Sequence, residues 1–153
     1  MSGFFRKAQA AITRLKPIKV PEAPARAFRD LWPGDPNRGA RLLRGEFELL
    51  GTTRPFAGWG PEGGPPAFRA WLHGFAFLRD LRTLGTDAAR VAARDMAEDW
   101  LARGARDPLG QAPEVAAQRV CAWLGHWEFF AATAEDGFRR ALMQRLAQDG
   151  REV

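Results

Sequence analysis

The chain has 153 residues, 46% of them hydrophobic, a formal net charge of +5 and an isoelectric point near 10.6. That length suits one domain with a real core, and the lone Cys121 excludes an internal disulfide. No Cys/His cluster has zinc-site spacing, so no structural metal or cofactor is expected, and no apolar run reaches the ~20 residues of a membrane span.

The charge suits an anionic partner: acidic polysaccharide, nucleic acid or anionic lipid. All but three of the 23 basic residues are arginine, whose planar fork matches carboxylate, sulfate and phosphate. The three lysines, Lys7, Lys16 and Lys19, fall in the first nineteen positions.

Residues 3–16 read as a basic helix with Phe4, Phe5, Ala8, Ile12 and Leu15 on one side and Arg6, Lys7 and Arg14 on the other. Pro17, Pro21 and Pro24 then make an extended connector, which separates a segment 1–27 from a domain 28–153. The start lacks a continuous apolar core followed by a small-residue cleavage site, so a cytoplasmic location is expected. A second helix is expected over about 38–50, with Leu42, Leu43, Phe47, Leu49 and Leu50 as its apolar residues and Gly51 as its stop.

Six of the eight residues from 58 to 65 are Gly or Pro, yet the loop holds Phe56 and Trp59, large rings that need cover. Pro65 and Pro66 open a third helix that runs to Gly85, and Thr86 and Asp87 cap a fourth with Ala89, Ala92, Ala93, Met96, Ala97 and Trp100 along one side, a small-residue face. A fifth helix is expected over about 113–132 and a sixth from 135 towards the end. No segment sustains period-two alternation, which predicts an all-α protein of antiparallel helix pairs.

The third helix is apolar on two sides, Phe68, Trp71, Leu72, Phe75 and Leu78 against Ala70, Phe77, Leu81 and Leu84, and must be packed on both. His73 lies toward the second side, as a histidine bonded to a carbonyl or carboxylate or as a polar group near a cleft. In RVCAWLGHWEFF, Arg119, Ala122, His126 and Phe130 share a stripe with Trp123 at its margin. Guanidinium, indole and imidazole along one line suit a sugar ring; the alternative buries the tryptophans and pairs Arg119 with Glu114 or Glu128. No phosphate-loop, dinucleotide or zinc-protease motif occurs, Ser2 is the only serine, and Asp95, Glu98 and Asp99 read as a solvated helix face.

The segments LWPGDPNRGARLLRGEFELLG, GWG, PPAFRAWLHGFAFLRDLRTLG and RVCAWLGHWEFF, taken in that order and spacing over residues 28–149, resemble the N-terminal helical region of the heparinase II/III-like family. The resemblance implies part of an incomplete α/α toroid, normally followed by a β-sandwich domain, and a polysaccharide lyase that removes the C5 proton of a uronate. It also implies that segments 71–73 and 119–123 line the toroid cleft. His73, Arg119 and His126 are then candidate substrate contacts, with Trp123, Trp59 and Trp71 beside them. The chain has no tyrosine for the family's phenolic acid/base, and its only asparagine, Asn37, lies in a Gly/Pro turn. The expectation is therefore one wall of an acidic-polysaccharide cleft, not catalytically complete alone, belonging to a larger protein that carries the β-sandwich. The competing expectations are a basic helical module for nucleic acid or a membrane surface, and a structural remnant that self-associates.

Overall fold

A computed structural model describes residues 19–26 and 28–153; the basic helix expected over 3–16 lies outside them. Among the described residues, seven helices and one two-stranded hairpin follow in the order α1 (Pro36–Leu42), β1 (Glu46–Leu49), β2 (Thr52–Pro55), α2 (Pro66–His73), α3 (Leu78–Leu84), α4 (Asp87–Ala102), α5 (Pro113–Gly125), α6 (Trp127–Phe130) and α7 (Asp136–Glu152). None is long and apolar enough to cross a membrane.

Asp35 starts α1 by accepting the N–H of Asn37 at 2.8 Å and of Arg38 at 3.4 Å, with Pro36 in the first turn. Buried Asp80 of α3 accepts the Asp35 N–H at 2.7 Å and the Arg38 guanidinium at 3.2 Å, which ties the WPGDP turn to α3. Gly39 permits this crossing, because a Cβ there would lie 2.6 Å from the Asp80 carbonyl oxygen.

The second expected helix is corrected. It ends at Leu42, and residues 46–55 form an antiparallel hairpin with Phe47 opposite Arg54 and Leu49 opposite Thr52. Gly45, Leu50 and Gly51 all have positive φ; a helix cannot continue through them, and the Leu50–Gly51 pair has the sign that a two-residue hairpin turn requires. The described residues are thus mostly helical, with one small sheet that the all-α expectation did not include. Phe47 is the buried ring of the hairpin and lies edge-on to Phe77 at 5.5 Å.

The third expected helix is also corrected: it is two, α2 and α3. The chain breaks after His73, and Phe75 sits at φ +57° with no exposed surface. A bulky residue in the left-handed region costs about 1–2 kcal/mol, which its packing must offset. Phe75 does pack, with its ring centroid 5.8 Å from Trp59, 5.2 Å from Phe77 and 5.2 Å from Trp123. Across the break both apolar sides are covered: Phe68, Leu72, Phe75 and Leu78 of one and Phe77 and Leu81 of the other are all buried.

Thr86 caps α4 through the Ala89 N–H at 3.1 Å, and Ala89, Ala93 and Ala97 are fully buried on its small-residue face. α4 lies against α3 and α6, α5 against α2 and α7. The long helix expected over 113–132 breaks at His126, between α5 and α6. The core therefore centres on Phe75, Phe77, Trp100 and Trp123, with Trp100 and Trp123 edge to face at 5.6 Å.

Candidate functional site

The loop rich in Gly and Pro forms one side of an open groove of about 640 Å³. Residues 58–62, Arg69 of α2, Arg103 after α4 and residues 106–109 line it. Three arginines therefore face two carboxylates, Glu62 and Asp107. Arg69 pairs with Asp107, and Arg103 pairs with Asp99 through two bonds of 2.7 and 2.8 Å. Arg106 is exposed in the short turn Gly104–Arg106 and extends the cationic rim.

Trp59 connects this rim to the interior. Its indole N–H donates to Asp99 Oδ2 at 2.7 Å, and its carbonyl accepts from His73 Nε2 at 2.9 Å. Behind it, Trp100 Nε1–H donates to His73 Nδ1 at 2.9 Å. An indole N–H can only donate, so Nδ1 is the acceptor and the proton of the neutral imidazole sits on Nε2. Gly110 is required beside this ring, since a Cβ there would approach His73 Nδ1 to 2.7 Å.

Arg119 forms the floor of the assembly. Its guanidinium donates to the carbonyls of Gly110 at 2.9 Å and His73 at 3.2 Å, pairs with Asp149 at 2.8 Å and lies 4.1 Å over the Trp100 ring. Arg145 pairs with the second Asp149 oxygen at 2.7 Å. Both Arg119 and Asp149 are fully buried.

Burial sets the titration here. It pushes the His73 imidazole below its ordinary value, against the opposing effects of the Trp59 carbonyl and Asp107. It pushes Arg119 down to about 10 despite Asp149, which leaves the guanidinium charged at neutral pH. Burial would raise Asp107, but the bonds from Arg69 and the Leu109 N–H hold its carboxyl below the usual range. The Arg103 bond, and then that of Trp59, hold Asp99 low. Asp99 and Asp107 therefore stay ionised near neutrality and hold Arg103 and Arg69 in place at the groove.

No protein-family model, curated protein or solved structure matches this chain. The site is read from its own geometry. That geometry brings His73, Arg119 and Trp123 to one place, behind Trp59, all with no exposed surface. Trp59 is 4% exposed and lines the groove at its edge. Trp71 lies apart, half-buried and stacked on Phe68 at 5.8 Å under the hairpin. His126 lies elsewhere too, 3.4 Å from Asp30 and 3.3 Å from Arg82, where burial and then Arg82 push it down to about 4. The partner of Arg119 is Asp149, neither Glu114 nor Glu128.

Residues that sequence reasoning passed over are Arg69, Arg103, Arg106 and Asp107. The signal for Arg103, Arg106 and Asp107 is the run ARGARDPLG, in which arginines alternate with turn formers directly after a helix; Arg69 stands alone inside α2. Asp99 belongs with them: on the helix face expected to be solvated, it holds Trp59 and Arg103.

Proposed function

We propose that this chain is a helical wall of a heparinase II/III-like acidic-polysaccharide cleft, and that it binds and positions the substrate rather than completing the β-elimination. The observation that carries the reading is the groove in which Trp59 meets Arg69, Arg103 and Arg106. Uronate carboxylates and sulfates pair with guanidinium forks, and Pro61, Pro108 and Leu109 on the groove wall offer apolar surface to a sugar. The order of the resembling segments adds the family, and the arrangement of α2 against α5 suits inner helices of an α/α toroid arc.

Within this reading Arg106 makes the first contact, since Arg69 and Arg103 already hold carboxylates. His73, Arg119 and Trp123 act from behind by fixing Trp59. The chain offers no tyrosine as acid/base. Titration calorimetry with heparan-type and alginate-type oligosaccharides tests the proposal, with a neutral glucan as control. Saturable binding of the acidic sugars that falls about tenfold or more in Arg106→Glu is expected. Equal affinity for the neutral glucan, or no binding of either acidic sugar, rejects it. Accumulation of unsaturated product, seen by its ultraviolet absorbance, would overturn the positioning role.

A further inference from the structure

The chain's excess charge is not spread over its surface. Residues 1–19 hold five cations and no acid, which leaves eighteen of each sign over the other residues. Residues 20–153 are therefore electrically balanced, and the net charge of +5 belongs to the leading segment 1–19 of the sequence. Two more arginines, Arg26 and Arg29, follow it closely, and both are exposed.

The same region presents apolar side chains. Phe28, Leu31 and Trp32 are 57%, 89% and 70% exposed, and they account for three of the seven large exposed hydrophobic residues among those described. Their backbone is nevertheless held firmly. The Asp30 N–H donates to the Gly125 carbonyl at 3.1 Å, Arg82 donates to the carbonyls of Asp30 and Trp32 at 2.7 and 2.8 Å, and Arg79 binds the Asp30 carboxylate at 2.8 Å. Gly34 N–H bonds Thr83 Oγ1 at 3.0 Å. The loop turns its polar backbone inward, fixes it on α3 and α5, and leaves Phe28, Leu31 and Trp32 in water.

We infer that residues 28–32 form an interfacial anchor that docks on a lipid bilayer with anionic headgroups. Aromatic and leucine side chains flanked by arginine are the composition that settles at the headgroup level, and each cation near an anionic surface adds to the attraction. The acidic groups facing the loop do not oppose this strongly. Asp30 is neutralised by Arg79, while Glu22 and Glu128 are outnumbered by Lys19, Arg26 and Arg29. A preorganised loop loses little further backbone freedom on docking, so the apolar contact is retained as affinity. A nucleic-acid partner would use the cations but leave Leu31 and Trp32 without a role.

The test uses the full chain with vesicles of equal parts phosphatidylglycerol and phosphatidylcholine, compared with phosphatidylcholine alone, in a sedimentation assay. Partition into the anionic vesicles is expected, with quenching of Trp32 emission by brominated acyl chains. Leu31→Ser/Trp32→Ser should reduce partition about tenfold or more, and Arg26→Gln/Arg29→Gln several-fold, with unchanged far-ultraviolet circular dichroism. All four side chains are exposed, so the variants fold. Failure to partition, or full partition of the Leu31/Trp32 variant, overturns the inference. So does binding to random-sequence duplex DNA without vesicle partition, or a dimer seen by light scattering that Trp32→Ser disperses while vesicles remain unbound.

Discussion

The indole N–H of Trp100 donates to Nδ1 of His73 at 2.9 Å, and neither side chain has exposed surface. This bond fixes the imidazole tautomer and so fixes which nitrogen holds the Trp59 carbonyl. His73→Leu removes both partners and strands a buried donor and a buried acceptor. Each stranded group costs about 1–3 kcal/mol, so the variant should lose several kcal/mol in urea unfolding. His73→Gln retains an acceptor and a donor on one side chain and should lose markedly less. If the two variants lose the same stability, the hydrogen bonds are not what holds this region.

The two histidines make the fold acid-sensitive, and the sign follows from their buried neutral form. His126 falls from 6.5 to about 4 in the folded chain, and His73 moves in the same direction. Between those values the unfolded chain binds protons that the folded chain refuses, so stability declines as pH drops from 6.5 towards 4. For His126 alone the loss approaches about 3 kcal/mol at the acid end. Below that window the lowered carboxyls of Asp30, Asp99 and Asp107 add to the loss as they become protonated. Urea unfolding at a series of pH values should show a shallower slope for His126→Gln across the same range. An unchanged slope would remove His126 as its source.

Arg119 and Asp149 are buried together, and separating them should be costly. Asp149→Leu leaves a desolvated guanidinium whose remaining partners are two carbonyls and an indole face. A loss of about 3–5 kcal/mol is expected. Arg119→Met leaves the Asp149 carboxylate with Arg145 and should cost less, because Arg145 binds the other oxygen. The double variant Arg119→Met/Asp149→Leu removes both charges and should recover part of the loss. Strict additivity in the resulting cycle would show that the pair is uncoupled.

The legible part of the fold was that marked by strong local signals. Thr86 before an alanine face and Pro113 at a helix start gave helices at the expected places, as did the turn ahead of Asp136. The breaks at Phe75 and His126 carry no proline, but each follows a glycine, Gly74 and Gly125, a helix-stop signal that the apolar pattern running through both segments overrode, and at Phe75 ring packing holds the left-handed residue in place. For the site, the sequence drew attention to Trp59, His73, Arg119 and Trp123, which do come together. Periodicity within a helix could not reveal that Arg69 and the Arg103–Arg106 turn converge on Trp59 from two separate segments, nor that Asp149 reaches back to Arg119 across thirty positions.

The hairpin was illegible for a reason that can be tested. Its strands alternate for only four residues, Glu46 to Leu49, and its turn is Leu50–Gly51 where Asn-Gly or Asp-Gly would have announced it. Leu50 has φ +51° and is 96% exposed, so it bears the cost of a left-handed conformation and contributes almost no packing in return. Leu50→Asn should therefore stabilise the protein by roughly 0.5–1.5 kcal/mol, since asparagine tolerates that region and no buried contact is lost. Gly51→Ala, at φ +78° with open space around its Cα, should destabilise by a comparable amount through backbone strain alone. Thermal unfolding of both variants measures the pair. If Leu50→Asn loses stability, residues 50 and 51 do not hold positive φ in solution, and the two-residue turn is wrong.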